Sequence, residues 1–269
     1  MERTFVMKTE VSGHGRPLVL VPGGLTGWLS WKPHAERLSA DHRVVRVQLL
    51  NVELGLGKKR LPDDYSVDME VRALSAALVK EGIGETDFAA WSFGAEVTLS
   101  FAIANPDRVR TLTLIEPPAT WVLRSRGPLS PDLLQKQKLL SAMLRVDVTE
   151  EQLAWFSHFA GFVPPDVDPR TLPAWPGWLA HRQSLANGDA TYQHEDDIGK
   201  VRRFGKPVLL FKSRDSSDFL IRIVDILGKE FPHATVHDLP GGHAMHLVGK
   251  EEFLNLFLPF LRGGAASRA

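Results

Sequence analysis

Short apolar runs closed by turn residues recur along the chain, and between them apolar positions return every three to four residues. The first spacing belongs to buried strands and the second to helices with one buried face. Thr4 to Glu10 reads as a first strand, followed by the turn Ser12-Gly13-His14-Gly15. Leu18-Val19-Leu20-Val21 and Arg43 to Gln48 read as strands, with a short helix over Trp31 to Leu38 between them. Asn51 to Asp64 reads as a polar loop. Ser66 caps the next helix, where Val67, Val71, Leu74 and Leu78 share a face and Asp68 and Glu70 suit the first turn. A strand ending at Trp91, a helix ending near Asn105-Pro106 and the strand Thr111 to Ile115 follow. After a long interruption the alternation resumes with a strand over Lys206 to Phe211 and a helix over Phe219 to Glu230, in which Asp218 reads as the N-cap. The strand Ala234 to Leu239 and the helix Glu251 to Leu261 complete it.

Strand and helix alternate throughout, which predicts an α/β fold with a mostly parallel, doubly wound sheet covered on both faces. The interruption differs in composition. The 84 residues from Pro117 to Lys200 hold nine of the 18 prolines and four of the seven tryptophans, with helical patterns and no strand alternation. It reads as a helical cap, residues 117–200, inserted into a core formed by 1–116 and 201–262, with 263–269 a frayed tail.

The chemistry centres on Phe88-Ala89-Ala90-Trp91-Ser92-Phe93-Gly94. A strand, a serine in a tight turn and a helix form the setting of a nucleophile elbow, with small residues two positions either side of the serine. A serine hydroxyl needs an adjacent base. His243 is the candidate, in the loop Pro240-Gly241-Gly242 just after a strand. That base needs an acid to orient it, and two carboxylates follow strands at the same sheet edge: Asp215 and Glu116. Both remain open. Phe93, just after the nucleophile, and Gly24, in the loop after Leu18–Val21, are the candidate backbone donors for an oxyanion.

Composition removes other chemistries. With 32 basic and 32 acidic residues, the chain has no net charge to draw it to nucleic acid or acidic lipid. No cysteine is present, so disulfides, thiolate metal sites and cysteine nucleophiles are excluded. His243 and His246 lack a third ligand at useful spacing, so no metal is expected. No apolar run reaches membrane-spanning length. A cytoplasmic monomer or homodimer without a cofactor is the expectation.

Taken together, Leu20-Val21-Pro22-Gly23-Gly24, Ala90-Trp91-Ser92-Phe93-Gly94, Pro207 to Phe211 with Asp215, and Gly242-His243 resemble the α/β-hydrolase superfamily over about Phe5 to Leu261. Ala90 stands where the family's motif commonly has glycine, and Pro22 where many members have histidine. Lys212 or Ser213 replaces a glycine that commonly follows the seventh strand. Ile115-Glu116-Pro117-Pro118 is similar to the branch that takes its acid after the sixth strand, as haloalkane dehalogenases and zearalenone-type lactonases do. The resemblance implies a helical cap inserted after the sixth strand, no cofactor and no metal. It implies a serine hydrolase cleaving a carboxylic ester or lactone of an apolar small molecule through an acyl-enzyme. Carbon–carbon hydrolysis, perhydrolysis, lyase or cyclase chemistry, and non-catalytic ligand binding share the same fold. Cap aromatics (Trp121, Trp155, Phe156, Phe159, Phe162, Trp175, Trp178, Tyr192) supply either a pocket or the cap's own core. Leu25, Trp121, Trp155, Phe159 and Trp178 are the expected substrate contacts.

Overall fold

The computed structural model describes residues 5–143, 147–186 and 189–263. Their strands are β1 (Lys8–Ser12), β2 (Arg16–Val21), β3 (His42–Gln48), β4 (Thr86–Trp91), β5 (Val109–Ile115), β6 (Val208–Lys212) and β7 (Ala234–Asp238). They form one sheet in the order β1-β3-β2-β4-β5-β6-β7. β1 pairs antiparallel with β3, and every other neighbouring pair is parallel. The first strand lies later than its apolar pattern suggests. Pairing from Lys8↔Gln48 to Ser12↔Val44 carries it through Ser12.

Side chains alternate between the faces of a strand, and the continuous apolar runs divide accordingly. Val19, Val21, Phe88, Ala90, Leu112, Leu114, Val208 and Leu210 enter one core. Leu18, Leu20, Ala89, Trp91, Ile115, Leu209 and Phe211 enter the other. This is why β2, β4 and β6 carry continuous apolar runs rather than an apolar residue at every second position.

The helices of the first half are α1 (Lys32–Leu38), α2 (Leu50–Leu56), α3 (Val67–Lys80) and α4 (Phe93–Ala104). Ser66 caps α3 as expected, its Oγ accepting from the Met69 N–H at 3.3 Å. α2 lies where the pattern suggests a polar loop, and its Leu50, Asn51 and Val52 are buried. Between β5 and β6 run α5 (Thr120–Arg124), α6 (Pro131–Met143), α7 (Glu150–Phe159), α8 (Trp175–His181), α9 (Ala190–Gln193) and α10 (Ile198–Arg203). Counted along this chain, that helical segment follows the fifth strand. A small core of its own joins Leu140, Val148, Leu153, Trp175 and Leu185 to Leu25 of the β2–α1 loop. α11 (Asp218–Glu230), α12 (Met245–Val248) and α13 (Lys250–Gly263) complete the chain. Ser217 rather than Asp218 occupies the N-cap of α11. Residues 264–269 of the expected tail lie outside the described residues. Among the described residues, no helix is long and apolar enough to cross a membrane.

One buried feature makes stability depend on pH. His34 of α1 and His246 of α12 stack at 5.6 Å between ring centres, packed against Trp31 and Phe253. His34 Nε2 donates to the His246 carbonyl at 2.9 Å. Burial pushes the His34 imidazole down to about 4 and holds His246 well below its usual value. The unfolded chain, with histidine near 6.5, therefore takes up a proton before the folded one does. The contribution of His34 to stability is complete above pH 6.5 and is lost as pH falls towards 4, by about 3 kcal/mol. Glu70, which burial pushes up to about 7, acts with the opposite sign over much of that window. The readout is thus a difference. In urea unfolding between pH 4 and 7, His34→Gln, which keeps a donor for the His246 carbonyl, is expected to lose less stability on acidification than wild type.

Candidate active site

Ser92 stands between β4 and α4 at φ 54° and ψ −129°, a region that side chains other than glycine rarely occupy. Two contacts hold it there. Its N–H donates to the Ile115 carbonyl at 2.9 Å, tying the turn to the end of β5. Gly94 leaves room for close approach: a Cβ there would stand 2.1 Å from the Pro22 carbonyl oxygen. The small residue expected at this position is a steric requirement of packing α4 against the β2–α1 loop. Ala90, two residues before the serine, is fully buried in the sheet.

His243 Nε2 lies 2.8 Å from Ser92 Oγ, and His243 Nδ1 lies 2.7 Å from Glu116 Oε2. Glu116 directly follows β5 with a positive φ of 42° and is fully buried. Its carboxylate also accepts from the Ser213 N–H at 2.8 Å and the Ser216 hydroxyl at 2.7 Å. With the carboxylate accepting, Nδ1 is the donor of the imidazole, and Nε2 is left to accept from the serine hydroxyl.

Asp215, the other candidate acid, does not reach His243. The Ser216 N–H donates to the Ser213 carbonyl, so residues 213–216 form a turn with Arg214 and Asp215 at its tip. The turn aims Ser213 and Ser216 inward at Glu116 and leaves Asp215 exposed, where its Oδ2 accepts a long bond from the Gly241 N–H at 3.4 Å.

The histidine loop is held by partners that its sequence does not reveal. The Trp91 indole donates to the His243 carbonyl at 2.7 Å, and the His243 N–H donates to the Gly161 carbonyl at 2.8 Å. Gly242 has φ 64°, and a Cβ there would stand 2.4 Å from the Gly161 oxygen. Gly161, which reads in sequence only as a break in a helical pattern, is thus the point where the helical segment meets the histidine loop.

Gly24 lies beside Phe93, where a Cβ on Gly24 would touch the Phe93 side chain at 3.4 Å. Phe93 is the first residue of α4, so its N–H has no partner within the helix. Both residues line a cavity of about 70 Å³ above Ser92 and His243. Its other walls include Leu25, Leu140, Phe156, Phe159, Phe162, Leu185, Tyr192 and Phe219, and its described lining contains no lysine or arginine. Leu25 and Phe159 lie on the cavity wall. Trp121 is not at the cavity but in the core beneath α5, 1 % exposed. Trp155 stacks on Phe159 at 5.1 Å and Trp178 packs on Phe162 at 5.6 Å, so both buttress the wall instead of forming it. Phe219 is a lining residue that no sequence pattern marks out, because α11 presents its aliphatic face to the core and only its first turn to the cavity. Among the described residues no cluster could hold a metal ion.

Residues 18–256 match the family model described as Alpha/beta hydrolase family. Among curated proteins, a chain bearing the name carbamate hydrolase RutD from Azorhizobium caulinodans is 24% identical over 93% of both chains. A pimeloyl-[acyl-carrier protein] methyl ester esterase from Nitrosomonas europaea is 26% identical over 92% of this chain and 96% of its own length. A 2-hydroxy-6-oxo-2,4-heptadienoate hydrolase from Pseudomonas putida is 34% identical, but over only 38% of either chain. Among solved structures, an esterase from Thermogutta terrifontis superposes with a TM-score of 0.76 at 18% identity, over 97% of this chain and 94% of its own. Sheet order, serine turn and the family match over residues 18–256 agree, and the chain belongs to the alpha/beta hydrolase family.

Proposed function

We propose that this hydrolase cleaves small, uncharged carboxylic esters through an acyl-enzyme on Ser92. The observation that carries the reading is the unbroken chain of hydrogen bonds from Ser92 Oγ through His243 to Glu116. In this reading His243 Nε2 takes the serine proton as Oγ attacks the ester carbonyl. The carbonyl oxygen becomes an oxyanion held by the N–H groups of Gly24 and Phe93. Collapse expels the alcohol, which takes the proton back from His243. A water, deprotonated by His243, then releases the acid and regenerates Ser92. Glu116 keeps the proton on Nδ1 and stabilises the imidazolium formed in each half-reaction.

The helical segment acts in this scheme as a cap. The cavity's size and lining support the substrate class. About 70 Å³ holds roughly five waters' worth of space, enough for a short acyl group or a small ring. The walls are apolar and aromatic. A substrate carboxylate buried there would lack a cationic partner, at a cost of several kcal/mol. This argues against the carbon–carbon cleavage of dienoates that one relative's name describes. A p-nitrophenyl ester series tests the reading. The expected result is kcat/KM highest at two to six acyl carbons and lower by about 10²-fold for a dicarboxylic half-ester of equal length. Equal or better turnover of the charged half-ester would contradict it.

A further inference from the structure

Asn51 lies where the β2–α1 loop, α2 and the helical segment meet. Its Nδ2 donates to the Gly24 carbonyl at 2.8 Å and to the Ser184 carbonyl at 2.7 Å. An amide nitrogen has two hydrogens, so both are used, one on the β2–α1 loop and one on the helical segment. Two facing carbonyls also fix which end of the amide is nitrogen, because the oxygen would be repelled by both. Asn51 itself is 1 % exposed.

The side chain projects from a clamped backbone. Glu70 of α3 accepts from the Leu50 N–H at 3.0 Å and the Asn51 N–H at 3.1 Å, and from the Tyr65 hydroxyl at 2.6 Å. These amides belong to the first turn of α2, where N–H groups have no partner within the helix. One turn later on the same face is Gly55, where a Cβ would stand 2.7 Å from both Cα and N of Ser184. The turn Arg182–Leu185 therefore rests directly on the backbone of α2. Gly24 lines the inner cavity, while Asn51 lines a larger groove of about 1330 Å³ on its outer side.

We infer that Asn51 is a positioning residue that makes the placement of the Gly24 loop depend on the seating of the helical segment at Ser184. The inference rests on the oxyanion role proposed for the Gly24 N–H. The Gly24 carbonyl is fastened by Asn51, and the adjoining peptide plane, which carries the Gly24 N–H, turns about a glycine Cα with little intrinsic restraint. Releasing the carbonyl frees that donor to leave its position. Lifting Ser184 from α2 pulls on the same nitrogen and has the same effect at a distance.

A double-mutant cycle of Asn51→Leu and Gly55→Ala tests this, read by amide hydrogen exchange in residues 22–27 and 182–186 and by p-nitrophenyl acetate kinetics. Gly55→Ala leaves Asn51 intact and introduces a better helix former, so any loosening comes from its Cβ against Ser184. It is expected to speed exchange in both segments and to lower kcat about tenfold with KM within threefold. Asn51→Leu is expected to speed exchange at 22–27 and lower kcat by about 10–100-fold, again with little change in KM. In the Asn51→Leu background, Gly55→Ala should still loosen 182–186 and add nothing at 22–27. Asn51→Asp, of the same shape without the donor, takes the place of Asn51→Leu should the latter fail to fold. The inference is overturned if Gly55→Ala loosens 182–186 while 22–27 is unchanged, if removing the Asn51 donor leaves kcat within twofold, or if only KM rises. Should wild type show no Ser92-dependent turnover, the proposed function fails, and the exchange cycle alone then decides whether the two segments are coupled.

Discussion

Glu116→Gln is expected to lower kcat by about 10³–10⁴-fold, while Asp215→Asn leaves it within about threefold. The two carboxylates stand at the same sheet edge, but only Glu116 reaches the imidazole, at 2.7 Å from Nδ1. Glutamine preserves shape and removes the charge that stabilises the imidazolium. It also offers a donor to Nδ1, favouring the tautomer with the proton on Nε2, which cannot accept from Ser92. KM should change little, because the carboxylate is buried behind the histidine and is not among the residues lining the cavity. Steady-state kinetics of both variants on one short-chain ester provide the check. A large loss in Asp215→Asn with near-normal Glu116→Gln would require the 213–216 turn to invert during turnover and would contradict the arrangement described.

Ser92→Gly should abolish Ser92-dependent turnover, a loss of about 10⁵-fold or more, and at the same time stabilise the fold by about 1–2 kcal/mol. The two effects share one cause. At φ 54° and ψ −129° the serine occupies backbone space that suits glycine, and the strain is maintained by the Ile115 hydrogen bond and the packing of Gly94 under Pro22. Glycine relieves the strain and removes the proposed nucleophile. Urea unfolding measures the gain, and it should be absent in Ser92→Ala, whose Cβ meets the same backbone restriction. A glycine variant less stable than wild type would mean that the serine side chain contributes more to the fold than its backbone costs.

The readable parts of this molecule were those set by local spacing. β2, β4 and β6 carry apolar runs at successive positions because both sheet faces are covered, and such runs are visible one strand at a time. Ser92 and Gly94 were legible because the steric demand of the turn acts within three residues. His243 was legible from its glycines after a strand. The acid was not. Glu116 and Asp215 both follow strand ends, and the choice between them depends on which way the turn 213–216 faces, a matter of tertiary contacts with β5. α2 was also missed: it spans only Leu50–Leu56, contains Gly55 and draws its first-turn partner from Glu70, far along the chain. Composition marks the segment between β5 and β6 as rich in aromatics but not which way they face. Trp121, Trp155 and Trp178 lie in core and buttress, whereas Phe219, outside the helical segment, reaches the cavity.

The central claim is that Ser92 is the residue that takes the acyl group. Its most direct test is labelling with diethyl p-nitrophenyl phosphate, whose phosphoserine product does not turn over, followed by peptide mass spectrometry alongside residual esterase activity. One diethylphosphoryl adduct on Ser92, rising in proportion to the activity lost, is the predicted result. Complete inactivation with the adduct on another residue, or full activity with Ser92 labelled, would contradict it.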